Sequence, residues 1–278
     1  MDRYLKSIFL GIVQGFTEFL PISSTAHLRI LPSLLNWEDP GTAFSAVIQI
    51  GTMFAVIIYF WKDLIKIYGE FLKAVLSGMK FESYESKLGL WILIATIPIC
   101  IFGLLFRKPI ENGMVRNLYI VSFYLIFFGI MLLISEMFAK QNRTLANINA
   151  LDVLLIGLAQ TFALIPGVSR SGVTLFAGLL LGFKRTQAAR FSFLLSVPAV
   201  LASGVLEIHT LMQSVPWTQG GTMVLTLFLG IIFACLSGYI AIDFLLKYLQ
   251  SHKTHVFVVY RILLGVLIIL LNYRGLIH

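Results

Sequence analysis

Four apolar stretches, about Leu88 to Phe106, Leu118 to Phe138, Thr222 to Leu246 and Val256 to Asn272, constrain this chain more than any other feature. Each is long enough to cross about 30 Å of hydrocarbon, which takes roughly 20 helical residues. Backbone groups in lipid must be satisfied within the segment itself, so these stretches predict membrane-spanning helices. Phe44 to Phe60 and Phe191 to Leu206 are shorter but free of charge, and predict two more, about six in all. Composition agrees. With 58% hydrophobic and 12% charged residues and a mean hydropathy of +0.90, a 278-residue chain has too little polar surface for a soluble globule. The expected fold class is an all-α polytopic membrane protein, a single integral membrane domain over residues 1–278.

Ile8 to Leu20 and Leu151 to Ile165 are shorter still, and each runs into a proline followed by hydroxyl residues. They predict two re-entrant helix-loop-helix segments. Arg3 and Lys6 before an apolar stretch resemble a signal peptide, but Gln14 and Glu18 interrupt its apolar region, so the segment is read as retained. Cys100 and Cys235 lie in apolar surroundings and are expected to pack rather than to pair or bind metal. The net charge of +8 comes from Lys and Arg lying mostly between spans, where they set topology and attract anionic lipid; no nucleic acid partner is expected.

The chain also repeats itself. Gly11, Gln14 and Phe16 match Gly157, Gln160 and Phe162 at one offset. Pro21 and Ser23-Ser24-Thr25 then answer Pro166 and Ser169-Arg170-Ser171, and Phe44-Ser45 answers Phe191-Ser192. Repeat one covers about 1–87 and repeat two about 151–221. The first copy's later segment runs into a loop with Lys62, Lys66, Lys73, Lys80 and Lys87, which places that end in the cytoplasm. Its counterpart follows Lys184, Arg185 and Arg190 and runs into a loop from Glu207 to Gly221 without Lys or Arg, so it ends outside. Opposite orientation of the copies is an inverted-topology repeat, which places a site between the halves. Arg107, Lys108 and Arg116 resist this scheme, since they would lie outside.

The first polar motif reads from Gln14 to His27. Gln14 and Glu18, four residues apart, share a helix face; Pro21 breaks the helix; Ser23, Ser24 and Thr25 follow at the break. A helix starting near Ser24 would offer amides and hydroxyls to an anion and place His27 one turn later. Glu18 and His27 within a bilayer are an expensive ionisable pair, either a simple mutual partnership or a functional one. A hydroxyl nucleophile, an imidazole base and a carboxylate that orients the base or holds a cation together suit attack on phosphorus.

The second motif runs from Pro166 to Thr174. Gly167 and Gly172 let amides approach a ligand, Ser169, Ser171 and Thr174 supply donors, and Arg170 offers the rigid fork that grips phosphate. Gln49, within an apolar span, could line the site or bond another helix, and Lys184, Arg185 and Arg190 are read as topology signals before substrate ligands. His209, His252, His255 and His278 have no carboxylate at ligand spacing and make poor metal ligands.

On these residues the chain resembles the undecaprenyl-pyrophosphate phosphatase family, also called the bacitracin-resistance family. The match lies in Pro-x-Ser-Ser-Thr-x-His at Pro21 to His27 and Pro-Gly-x-Ser-Arg-Ser-Gly at Pro166 to Gly172, in their order and spacing, over essentially the whole chain. The resemblance implies release of the terminal phosphate of undecaprenyl pyrophosphate, which recycles the lipid carrier for peptidoglycan synthesis and confers bacitracin resistance. It also implies a bacterial cytoplasmic (inner) membrane protein with its site facing the extracytoplasmic side and stimulation by a divalent cation, Mg²⁺ or Ca²⁺. Carried onto this chain, the catalytic residues are Glu18, Ser24, His27 and Arg170. The substrate-binding set is Gln14, Ser23, Thr25, Ser169, Ser171, Gly172 and Thr174, with Glu18 as candidate metal ligand. Gln14 stands where many members have a second glutamate, which weakens any scheme with two carboxylates on one cation. Ala26 replaces a frequent glycine. The expected partners are the lipid pyrophosphate, membrane lipid and a second copy in a homodimer. The rival reading is a transporter or flippase of an anionic polyprenyl lipid, because broken helices and inverted repeats also mark carriers.

Overall fold

The computed structural model describes residues 3–106, 117–214 and 220–277. Among them the chain forms α1 (Arg3–Phe19), α2 (Ser24–Leu34), α3 (Gly41–Tyr59), α4 (Trp61–Leu76), α5 (Tyr84–Leu105), α6 (Leu118–Phe138), α7 (Ala150–Thr161), α8 (Arg170–Leu180), α9 (Arg185–Ser214), α10 (Gly220–Ser251) and α11 (His255–Tyr273). No strand forms among these residues beyond one bridge between Arg143 and Phe183. The all-α polytopic expectation holds: α5, α6, α10 and α11 are long and apolar enough to cross a membrane.

The two segments expected to re-enter are broken where the prolines stand. At about 1.5 Å per residue, the 17 residues of α1 reach about 25 Å and the 12 of α7 about 18 Å, short of a bilayer core. Each is followed by a helix of 11 residues, α2 or α8, after a turn whose last residue, Ser23 or Ser169, has a positive φ (73° and 70°). The side chain of that serine caps the new helix, Ser23 Oγ accepting from Ala26 N at 3.4 Å and Ser169 Oγ from Gly172 N at 3.1 Å.

Two expectations about loops change. The lysine-bearing stretch after Phe60 is a helix, α4, bent 84° from α3. Leu64, Ile67 and Ala74 are buried while Lys62, Lys66 and Lys73 are exposed, so the charges lie on one side of an amphipathic helix suited to an interface. The segment from Glu207 to Ser214, read as loop, continues α9. Arg107, Lys108 and Arg116 lie outside the described residues. Lys184 immediately precedes α9, and Arg185 and Arg190 stand in its first turns, where Arg185 pairs with Glu136 of α6 and Arg190 with Asp63 of α4 at 2.9 Å. Both arginines thus tie helices together and stand apart from the broken segments.

Small residues bring the broken helices close to their neighbours, the packing that membrane interiors favour in the absence of a hydrophobic drive. A Cβ on Gly11 of α1 would lie 2.5 Å from Gly230 O of α10, and one on Gly157 of α7 would lie 2.7 Å from Ala95 O of α5. The glycines that match in sequence thus occupy matching contacts. Phe19 at the end of α1 is buried against Phe193 of α9, rings edge to face at 5.2 Å, which fixes the end of the first break against the second half.

Candidate active site

Ser24 is the first residue of α2 and Arg170 the first of α8, so the two breaks deliver a hydroxyl and a guanidinium at two helix N-termini. They meet on Glu18. Glu18 Oε2 accepts from Ser24 Oγ at 2.6 Å and from Gln14 Nε2 at 2.9 Å. Glu18 Oε1 accepts from Arg170 Nη2 at 2.6 Å and from Gln49 Nε2 at 2.7 Å. Glu18 is 4% exposed, and a carboxylate so buried requires such a counter-charge and such donors. Gln14 sits one turn before Glu18 as the helical spacing requires, and Gln49 reaches in from α3. Arg170 Nη1 also donates to Ser196 O at 3.2 Å on α9.

The breaks are stitched directly to one another. Ser171 Oγ donates to Leu20 O at 3.1 Å, and Gly167 N to Thr25 Oγ1 at 3.4 Å. Ser23 and Thr25 hydroxyls lie 3.1 Å apart, and those of Ser169 and Ser171 3.2 Å apart, the same pairing in both motifs. Thr174 turns away from the ion pair toward Ser192 Oγ, at 2.6 Å. The glycines serve the turn: Gly167 has φ 95°, and the Gly172 amide is bonded to Ser169 Oγ.

His27 does not bond Glu18. Its Nδ1 lies 2.8 Å from Ser23 O and its Nε2 2.6 Å from the hydroxyl of Tyr260 on α11. The pairing of Glu18 with His27 is replaced by two separate couples, Glu18 with Ser24 and His27 with Tyr260. The reason is local: one turn into α2, the ring folds back onto the carbonyl of the residue that caps the helix.

Residues 7–267 match the profile of a family described as bacitracin resistance protein BacA. The chain belongs to the BacA family. Its relatives include proteins named undecaprenyl-diphosphatase from Chlorobium phaeovibrioides, 47% identical over 97% of both chains, and from Chlorobium limicola, 49% identical over 97% of both. Another, from Myxococcus xanthus, is 48% identical over 98% of this chain and 90% of its own.

A divalent cation finds few ligands in this BacA-family chain. The described residues hold no group of three His, Cys, Asp or Glu side chains able to bind a metal ion. Glu18 has both oxygens taken by four donors, one of them a guanidinium, and Gln14 directs its amide nitrogen at it. Hard cations take oxygen ligands, and Mg²⁺ commonly takes one or two carboxylates together with substrate phosphates, so without substrate the Glu18 carboxylate has no free oxygen to offer either cation.

Two residues escaped sequence reasoning, Tyr260 and Arg261, because they lie more than 230 positions from the first motif. Arg261 is wholly buried. Its guanidinium donates to Leu125 O at 3.1 Å, Pro21 O at 3.1 Å, Gly167 O at 2.9 Å, Val168 O at 3.0 Å and Tyr124 O at 3.4 Å. It ties both breaks to α6. A lone arginine inside the apolar run from Val256 to Asn272 was the signal that could have found it.

Proposed function

We propose that the chain is an undecaprenyl-pyrophosphate phosphatase: it hydrolyses the terminal phosphate of the lipid pyrophosphate to give the monophosphate carrier and inorganic phosphate. The names of the relatives support the substrate, and one observation carries the chemistry: Ser24 Oγ, Glu18 and Arg170 are joined by 2.6 Å bonds where two helix N-termini meet. Helix N-termini attract anions, and a guanidinium grips phosphate oxygens in a planar fork. The bonds to Glu18 and Ser196 use two of the five N–H donors of Arg170, and a phosphate seated at Ser24 takes up others.

In this reading Ser24 Oγ attacks the terminal phosphorus and passes its proton to Glu18 Oε2, the oxygen it already touches. The bond from phosphorus to the bridging oxygen breaks, and the polyprenyl monophosphate leaves. Water then attacks the phosphoserine, Ser24 Oγ recovers its proton from Glu18, and the charge of the proton that the water loses ends on His27. Arg170 and the N-termini of α2 and α8 stabilise the charge that builds on the phosphoryl oxygens. Gln14 and Gln49 hold the carboxylate still. The sequence leaves Ser24 or a water as nucleophile with His27 moving its proton, and in this reading Glu18 serves Ser24 while His27 serves the water.

The same proposal places the protein in the bacterial cytoplasmic membrane, with the site facing the extracytoplasmic side and a role in recycling the carrier for peptidoglycan synthesis and in bacitracin resistance. The matched breaks, caps and glycine contacts support two copies of one unit, about 1–87 and 151–221, in opposite orientation. Cysteines placed singly at Lys73 of the first copy and at Gln213 of the second, in a chain with Cys100 and Cys235 changed to serine, test the orientation with an impermeant maleimide and sealed vesicles: labelling from opposite sides is expected, and labelling of both from one side contradicts it. Rapid quench with substrate labelled at the terminal phosphate tests the intermediate: label on Ser24 is expected, and none under burst conditions contradicts it.

A further inference from the structure

His27 has one proton-accepting nitrogen, and it is occupied by Tyr260. A carbonyl oxygen only accepts, so the 2.8 Å contact with Ser23 O requires hydrogen on Nδ1 and leaves the lone pair of the neutral ring on Nε2. Tyr260 therefore donates its O–H to Nε2 at 2.6 Å, with the two rings within 4° of parallel. Ser24, the hydroxyl an imidazole base would serve, donates to Glu18 instead. In this arrangement His27 can draw a proton only from the phenol.

A hydroxyl is suited to that place because it can donate to neutral Nε2 and accept from protonated Nε2; a carboxylate or an ammonium could do only one. The pair is also ordered from outside to inside. Tyr260 is 41% exposed and His27 8%, so the phenol is the less enclosed member of the pair. Arg261, next in the chain, anchors this turn of α11 to Pro21 and to Gly167, which sets Tyr260 against the first break.

We propose that Tyr260 is a catalytic proton relay between the attacking water and His27, an inference that rests on the phosphoserine reading above. As the water oxygen bonds to phosphorus, its proton passes to Tyr260 Oη while the Tyr260 O–H proton passes to His27 Nε2. The bond from phosphorus to Ser24 Oγ breaks, its electron pair stays on Oγ, and Oγ takes the proton held by Glu18. Imidazolium then returns its proton through Tyr260 to the departing phosphate, which restores the starting state.

Tyr260→Phe keeps the ring and removes only the oxygen. Its kcat is expected to fall by about 10²-fold to 10³-fold with KM little changed, and labelled phosphoserine to accumulate. His27→Gln should lose about as much, and the double variant no more than the worse single one, because the two side chains act as one unit. Tyr260→Phe retaining its kcat, or losses that multiply in the double variant, overturns the relay. A readout without substrate accompanies this: ¹⁵N spectra of histidine-labelled protein should show His27 protonated at Nδ1, with an Nε2 shift that moves in Tyr260→Phe. A proton found on Nε2 overturns the relay whatever the activity. Phosphate release unaffected by Ser24→Ala would overturn the phosphoserine reading instead, and leave the histidine spectra as they are.

Discussion

Ser24 Oγ donates to Glu18 Oε2 at 2.6 Å across the break between α1 and α2. The hydroxyl is thus already bonded to its proton acceptor before any substrate arrives, and Arg170 pairs with the other oxygen of the same carboxylate. Glu18→Gln removes the base and the counter-charge of Arg170 together. Its kcat for phosphate release should fall by about 10²-fold to 10⁴-fold. Steady-state kinetics on protein that still elutes as a single species by size exclusion provides the check.

Arg170→Lys keeps a charge but not the fork, and the shorter reach of a single ammonium cannot serve Glu18 and a phosphate at once. Both kcat and KM should worsen, with kcat/KM down by at least about 10²-fold, equivalent to roughly 2.7 kcal/mol. A lysine variant with normal kcat/KM would show that the bidentate grip is dispensable.

Arg261→Met leaves the carbonyls of Pro21, Gly167 and Val168 without their donor inside the protein and removes a second donor from Leu125 O within α6. Each buried unsatisfied acceptor costs about 1–3 kcal/mol, so a clear drop in the melting temperature in detergent is expected, beyond that of any single serine variant at the site. Differential scanning fluorimetry measures it.

Gly15 and Gly69 make opposite predictions for the same change to alanine. A Cβ on Gly15 would lie 2.5 Å from Ala234 O and 2.6 Å from Gly238 N, backbone atoms of α10 that cannot yield locally. Gly15→Ala should therefore push α1 off α10, lower the melting temperature and displace Gln14 and Glu18. Gly69 in α4 meets nothing within 4 Å, so Gly69→Ala should be neutral or stabilising by up to about 1 kcal/mol.

Substrate-free protein should take up neither Mg²⁺ nor Ca²⁺ at Glu18, because that carboxylate is saturated by Ser24, Gln14, Gln49 and Arg170. Isothermal titration with each chloride salt reads this out. Saturable binding that disappears in Glu18→Gln would contradict it.

Four of the six expected membrane spans, both breaks and the grouping of Glu18, Ser24 and Arg170 were legible in the sequence. Proline interrupts a helix through its own covalent structure, and polar residues clustered in apolar sequence are costly in lipid unless they meet one another. The helical character of α4 was hidden by its lysines, although Leu64, Ile67 and Ala74 recur at helical spacing. The partner of His27 was not legible. Helical spacing placed His27 one turn after Ser24 and the cost of burying charge suggested Glu18 as its partner, but a backbone carbonyl one turn back and a phenol 233 positions away took its two nitrogens. Contacts at such separation follow from how α11 packs on α6, which no local pattern encodes.

Phosphate release by detergent-purified protein is the most direct test, since detergent leaves no compartments for a transporter to work between. With undecaprenyl pyrophosphate, the wild-type chain should release one inorganic phosphate per lipid, and Ser24→Ala should release less than about 1% of that at equal time, a loss of the order expected when a nucleophile is removed. No release by the wild type, or undiminished release by Ser24→Ala, would contradict the account.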